Sequence, residues 1–326
     1  MSTLFSPIFT KINQITPLEH DFTEVLESIA LKPKTLYFRG KLPENVSKTP
    51  NTNKKPQHKT DTESSQKTRT SRPKTVAIVG SRHNTRYGEE VAYKLAYALA
   101  KKGVIIVSGL AFGIDTVSHR GCLDAGGITV AVLGTAIDNI YPKPHEPIAR
   151  KIIEQGGAIL SEYAPGTKTF TKSSFLERNR LISGLSDIVV IVEAAEKSGS
   201  LNTATHALSQ GKTVYAVPGN ITNPYSQGCN KLIKQGALPY TEPADLLQDL
   251  FPEDYTKHHK KLKQANLFGD SETETKILQT IASGARSGEE IMSITHLPPE
   301  VFNQAVTLLE IKSRLRPLGL NNWALA

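Results

Sequence analysis

Three short segments carry the residue types that hold anions. Gly80-Ser81-Arg82 ends one apolar run, SGLAFGID (108–115) ends a second, and Glu193 with KSGSLNT (197–203) follows a third. In these segments Gly80, Gly109 and Gly199 let the backbone come close to an anion. The hydroxyls of Ser81, Ser198 and Ser200 add donors, and a following helix N-terminus adds a partial positive charge. Cations stand nearby in the pattern: Arg82, Lys143 after Tyr141-Pro142, Arg178 and Arg180 on either side of Asn179, and Lys197. Phe112, Tyr141 and Phe175 offer aromatic platforms. Such a set suits a groove that follows single-stranded nucleic acid through its phosphates and stacked bases. For Arg178 and Arg180 the competing reading is an ion pair with Glu177 or Glu162.

Chemical turnover finds less support. Asp115 and His119 share a helix face, and Asp138 and Glu193 stand at strand ends, so an acid/base pair can be drawn. Asp115 at a helix start reads equally well as a dipole-complementing cap. His119 lacks the second His, Cys or spaced carboxylate of a metal site. Neither G-x-G-x-x-G nor G-x-x-x-x-G-K-[ST] follows the first strand, which excludes the common dinucleotide and P-loop enzymes. We therefore expect no catalytic residue, no cofactor and no metal. The alternative is an enzyme of similar fold, a nucleoside-monophosphate phosphoribohydrolase. That chemistry needs a carboxylate in the helix after the glycine turn to stabilise an oxocarbenium-like state, and KSGSLNTATH (197–206) has none.

The elements that must position these residues alternate strictly. Apolar, β-branched runs at 76–80, 104–109, 128–134, 158–160, 187–194 and 213–219 read as strands buried on both faces. Helical patterns at 87–102, 114–125, 147–155, 175–182 and 200–209 lie between them. The fold class expected is α/β: a Rossmann-like, doubly wound, mostly parallel sheet with a small C-terminal winged-helix-like domain. All three anion-holding segments then fall at strand carboxyl ends, where such sheets bind ligands.

Five stretches follow. Residues 1–45 hold a helix (21–29) and a strand (35–40) that adds to the sheet. Residues 46–74 form a polar linker, expected to be disordered, with eight Lys or Arg against two Asp or Glu. Residues 75–250 form the Rossmann-like domain, 251–270 a second linker and 271–326 the winged-helix-like domain. The formal net charge of +8 is thus mostly a property of one linker and does not make a folded surface basic. The third helix of the last domain, the usual reader of duplex DNA, carries only Glu300 and Glu310 before Lys312, which weakens a duplex-regulator reading. No run of about 18 apolar residues and no secretory signal is seen. Only two cysteines, Cys122 and Cys229, occur. A cytoplasmic protein without membrane contact is expected.

The ordered motifs VAIVGSR (76–82), IVSGLAFGIDTVSHRG (106–121), AVLGTAIDNIYPK (131–143), LSEYAPG (160–166), FLERNRLISGLSDIVVIVEAAEKSGSLNTATHAL (175–208) and VYAVPGNI (214–221) resemble the DNA-processing protein A (DprA/Smf) family. The resemblance covers about residues 35–250, and the final module is similar to the winged-helix-like domain of many members. It implies a cytoplasmic, homodimeric protein that binds single-stranded DNA and loads the recombinase RecA during natural transformation. Ser81 and Arg82 match the family's G-S-R, Lys143 its Y-P-K, and Arg178 and Arg180 its R-N-R. The turns at Gly109 and at Ser198-Gly199-Ser200 match its backbone anion contacts.

Overall fold

Runs of Val, Ile and Ala dictate the centre of the first unit, because strands covered on both faces must be apolar along their whole length. In the computed structural model, which describes residues 11–44, 72–169, 171–253 and 268–325, β3 (Thr75–Val79), β5 (Thr129–Leu133) and β7 (Ile188–Ile191) are buried at every position. With β1 (Asn13–Ile15), β2 (Leu36–Gly40), β4 (Ile105–Ser108), β6 (Ala158–Ser161), β8 (Thr213–Ala216) and β9 (Leu238–Pro239) they form one nine-stranded sheet. Its order is β1-β2-β6-β5-β4-β3-β7-β8-β9. Strands β3 to β9 pair in parallel, while β2 joins β6, and β1 joins β2, antiparallel. The chain winds outward from β3 to β6, then returns to place β7 on the other side of β3. This reversal makes the β3/β7 crevice the switch point, where doubly wound sheets bind ligands.

Crossover helices cover both faces: α1 (Arg86–Lys101), α2 (Ile114–Asp124), α3 (Glu146–Glu154), α4 (Lys172–Gly184) and α5 (Ser200–Ser209), then α6 (Gln227–Lys234) and α7 (Pro243–Leu250). Helix α1 shows why they form. Thr85 caps it by accepting from the Gly88 N–H, Lys101 stands in its last turn, and Ala92, Leu95, Ala96 and Leu99 make the buried stripe. Each fully buried leucine there contributes about 2 kcal/mol relative to exposure. Gly103, at φ +75, ends the turn in the left-handed region.

The expected helix at 21–29 is a short 3-10 segment, Glu24–Ser28, preceded by a 3-10 turn at Pro17–Glu19. The Thr23 hydroxyl donates to the Pro17 and His20 carbonyls, so local side-chain bonds compete with α-helical ones in a segment too short to propagate. Phe22, Leu26, Ile29 and Leu36 enter the same core cluster as Leu181, Ile182 and Leu185 of α4. A Cβ on Gly184 would lie 2.8 Å from Leu26, so this segment buttresses α4 closely. Helices α6 and α7 and strand β9 lie outside the expected elements; each is only two to eight residues long, too short for a period to stand out, although Pro243 opens α7 and Gly236, at φ +104, follows α6.

The chain divides into two compact units, Met1–Leu250 and Phe251–Ala326. The second holds α8 (Glu272–Ala282), α9 (Gly288–Thr295) and α10 (Pro299–Ile311), then the antiparallel pair β10 (Leu315–Gly319) and β11 (Asn322–Leu325). This is the element order of a winged helix. Ile277, Leu278, Ile281, Ile291, Phe302, Leu309 and Leu315 form its core, and Ser271 and Ser287 cap α8 and α9. The linker expected at 46–74 lies outside the described residues except for 72–74. That at 251–270 does so except for 251–253 and 268–270. No helix among the described residues is long and apolar enough to cross a membrane.

Candidate nucleic-acid interface

A cavity of about 610 Å3 opens at the carboxyl ends of β3 and β7. Gly80, Ser81, Arg82, Arg178, Asn179, Lys197, Ser198, Gly199 and Ser200 line it together with Tyr141 and Phe175. A smaller adjoining cavity adds Gly109, with Phe112 and Pro142. Lys143 and Arg180 line neither. Lys143 is exposed on the short 3-10 turn Lys143–His145, just past Tyr141.

Close backbone approach sets the first wall. A Cβ on Gly80 would lie 2.7 Å from the Ile114 side chain, and one on Gly113, at φ +77, would lie 2.2 Å from the Ser81 carbonyl. Only glycine at both positions lets the Gly80–Arg82 turn rest on the start of α2. There Ser81 O accepts from the Ile114 N–H at 3.1 Å. Arg82 projects from this turn and its guanidinium carbon sits 5.6 Å from the Phe175 ring centroid, within cation–π range. Tyr141 packs against the same ring at 5.6 Å. One arginine and two aromatic rings thus meet at the mouth of the cavity.

The opposite wall is the start of α5. Its N-cap is Gly199, no side chain caps it, and no acid stands in its first turn. Gly199 has an ordinary φ of −63, and an added Cβ would find nothing within 4 Å. Neither backbone strain nor packing requires glycine there; what it leaves is open space over a helix start whose Ser200 N–H meets the Ser198 hydroxyl at a long 3.4 Å and whose Leu201 and Asn202 N–H groups turn to the Ser198 and Gly199 carbonyls at 3.2 Å. Ser198 and Ser200 hydroxyls lie 2.8 Å apart beside it, and Lys197 is exposed. A positive helix pole, two hydroxyls and an ammonium form a seat for an anion. Asn179 fixes this wall by donating to the Gly199 carbonyl at 3.3 Å.

Arg178 and Arg180 behave differently from the exposed cations. Arg178 is 5 % exposed, and its Nη1 donates to the Gly109 carbonyl at 2.7 Å and to the Val132 carbonyl. A Cβ on Gly109 would lie 2.4 Å from that nitrogen, so Gly109 makes room for the guanidinium. Burial pulls the Arg178 pKa down to about 10, against the pull of Asp115. It therefore ties the ends of β4 and β5 to α4, while its flank forms cavity wall. Arg180 Nη2 donates to both Glu162 oxygens at 2.8 and 2.7 Å, the ion pair that the sequence offered as the competing reading. Asp115 accepts from the Gly109 N–H at 3.1 Å. Burial raises its pKa, an effect that Arg178 and the Ala111 and Gly109 N–H groups oppose. This carboxylate acts as a turn and helix-start anchor.

Residues 65–251 match the DNA recombination-mediator protein A family. The chain belongs to that family. Protein Smf of Escherichia coli K12 is 47% identical over 175 residues, 54% of this chain and 46% of that one. DNA processing protein DprA of Bacillus subtilis 168 is 43% identical over 180 residues, 55% of this chain and 60% of that one. The chain spans about half the length of the curated relatives it matches. Among solved structures, DprA of Streptococcus pneumoniae superposes with a TM-score of 0.59 at 33% identity, covering 74% of this chain and 76% of that one. DNA processing protein A of Helicobacter pylori, whose structure describes a single-stranded DNA binding mode, gives 0.58 at 28% identity, covering 74% and 97%.

The candidate residues thus divide by environment. Gly80, Ser81, Arg82, Lys197, Ser198, Gly199 and Ser200 face the cavity. Arg178 and Asn179 line it but spend their polar atoms on the protein, and Arg180 is turned to Glu162. Thr203, from the third segment, lines the cavity too, and so do His83 and Tyr225, which do not stand out in the sequence. Tyr225 arrives because its carbonyl accepts from the Ala194 N–H at 2.8 Å, a pairing 31 positions apart in the sequence that no local pattern announces.

Proposed function

We propose that this protein binds single-stranded DNA at the β3/β7 cavity and acts as a recombination mediator in the cytoplasm, delivering the strand to RecA during DNA uptake. The observation that carries this reading is the uncapped, acid-free start of α5 facing Arg82 across an open cavity. The family membership and the single-strand binding of the Helicobacter pylori relative support it. Phosphates sit at Lys197–Ser200 and Arg82, and the aromatic pair Tyr141 and Phe175 offers a stacking surface to a base. The cavity volume is in the range that admits a nucleotide unit. Lys143, exposed beyond Tyr141, extends the cationic path. Held open to one side, a strand remains accessible to a recombinase. A homodimer sets two such sites on one strand and raises affinity by avidity.

Hydrolysis of a nucleotide is the weaker reading. Asp115, the carboxylate on the cavity wall, accepts hydrogen bonds from backbone N–H groups, and the first turns of α5 carry no acid. The protein is read as a binder without chemical turnover. A mobility-shift titration of single-stranded against duplex DNA across a salt series tests this. Preference for the single strand, with log affinity falling about 0.7 per phosphate neutralised, is expected. Equal affinity for duplex contradicts it. RecA delivery is tested by strand exchange on DNA coated with single-strand-binding protein: the wild type shortens the lag, and an Arg82→Glu, Lys143→Glu double variant does not.

A further inference from the structure

Helices α1, α2, α4 and α5 begin at the carboxyl edge of the sheet on the side of the cavity, and each brings a positive pole. In doubly wound folds that hold nucleotides, the phosphate sits on the helix that follows the first strand of the winding. Here that helix is α1, and its start is already occupied. Glu193, at the end of β7 and 1 % exposed, places both carboxylate oxygens there. One accepts from the Thr85 N–H at 2.8 Å and the other from the Thr85 hydroxyl at 2.6 Å. The same hydroxyl accepts from the Gly88 N–H at 3.3 Å, so proton donation runs in one direction from helix to carboxylate. Gly88 is shaped to this guest: a Cβ there would lie 2.2 Å from Glu193 Oε2. Its backbone is helical and needs no glycine for its conformation, and glycine inside a helix costs roughly 1 kcal/mol. The cost is explained by the carboxylate it admits.

A buried carboxylate four residues before Lys197, in the segment that leads to the anion seat, is otherwise an odd choice, since it weakens the local positive potential. We propose that Glu193 is a specificity-determining residue, a built-in anion that fills the α1 pole. A free nucleotide phosphate cannot dock there, the Gly80–Thr85 turn that carries Arg82 is held rigid, and the strand's phosphates are directed to α5. This inference rests on the reading of the cavity as a DNA site, and it names what selects that ligand over a mononucleotide.

The test compares the full chain with its Glu193→Ala and Glu193→Gln variants, by thermal melting and by anisotropy of labelled oligo(dT), in acetate and in chloride at matched ionic strength. Glu193→Ala empties the α1 pole. It is expected to melt lower and bind oligo(dT) about tenfold more weakly. Acetate, but not chloride, restores part of both properties, and leaves the wild type unchanged. Glu193→Gln keeps the side chain's shape but not its charge. It is expected to melt about 3 °C lower and to show no acetate response. An Ala variant that responds to acetate no more than the wild type overturns the proposal. So does a Gln variant that melts as the wild type does, and this arm stands even where the Ala variant fails to fold. A wild type that binds no oligo(dT) removes the DNA reading, while the acetate dependence of melting still decides the role of Glu193.

Discussion

The carboxyl edge of the sheet and the third helix of the C-terminal unit are both places where related folds read nucleic acid, yet they are furnished in opposite ways. At the sheet edge, Arg82 and Lys197 are exposed, α5 starts uncapped, and Gly199 leaves open space. In the C-terminal unit, α8 and α9 are capped by Ser271 and Ser287, and α10 bears Glu300 and Glu310. Glu310 accepts from the Trp323 indole at 2.6 Å. Lys312, the next cation, pairs with Asp270 and Glu274 at 2.8 Å each. Around them Ile311 is 75 % and Leu320 98 % exposed. A fold frequently used for DNA is here built without cations on its third helix, and the features proposed to hold DNA sit on the other unit. Charge placement, not fold type or total charge, decides where a polyanion goes.

The largest expected effect breaks the sheet edge alone. Arg82→Glu replaces a charge-assisted phosphate contact by repulsion and should cost about 2 kcal/mol or more, roughly 30-fold in oligo(dT) affinity. Removing residues 268–326 should change that affinity by less than about threefold. If the truncation costs more than the point change, the comparison is reversed.

Gly199→Asp sharpens the contrast next. A carboxylate at the N-cap suits the α5 dipole and should hold or raise stability by up to about 1 kcal/mol. The same carboxylate occupies the anion seat and should weaken oligo(dT) binding roughly tenfold. Melting and anisotropy on one preparation check both signs. Loss of stability together with binding would mean that Gly199 serves the fold.

These positions also show what the sequence made legible. The parallel winding, the three strand-end segments and the limits of helices such as α1, α2 and α5 followed from β-branched runs and glycine stops, because period and boundary are local properties; the start of α4, at Lys172 and not at 175, did not. The roles of Arg178, Arg180 and Asn179 did not. Their spacing marks them as a unit, but whether a guanidinium faces solvent depends on partners far along the chain. Gly109 and Val132 surround one and Glu162 the other. Phe175 gained its place at the mouth from Gly134, where a Cβ would lie 2.7 Å from its ring. No local pattern announces such a pairing.

An effect on stability, not on binding, separates the two units by pH. His119 on α2 is fully buried, with Nδ1 2.8 Å from the Thr129 hydroxyl, which itself donates to the Ile106 carbonyl. Burial pulls its pKa down to about 3, so the native state keeps it neutral while the unfolded chain takes up a proton below about 6.5. The unfolded state then binds more protons. Stability is full above that value and falls by roughly 1.4 kcal/mol per pH unit between about 6.5 and 3. Far-UV circular dichroism, dominated by the larger unit, should show this slope, and His119→Gln should flatten it. Fluorescence of Trp323, the single tryptophan, reports the C-terminal unit and should lack this contribution. Lys312→Ala, which leaves the buried Glu274 carboxylate without its cation and with the Asp270 N–H still donating to it, should lower the Trp323 transition and leave oligo(dT) affinity unchanged.

The last effect concerns residues 46–71 and depends on salt. Deleting them with a short connection retained should lower oligo(dT) affinity by less than about tenfold at low salt and hardly at all at high salt, since only screened charge is lost.

Photocross-linking of 4-thiothymidine oligonucleotide to the full chain, followed by peptide mapping, tests the central claim most directly. The account predicts adducts in the peptides that carry Arg82, Tyr141, Phe175 and Lys197–Ser200, and their loss in the Arg82→Glu variant. Adducts concentrated in α10 or in the β10–β11 hairpin would contradict it.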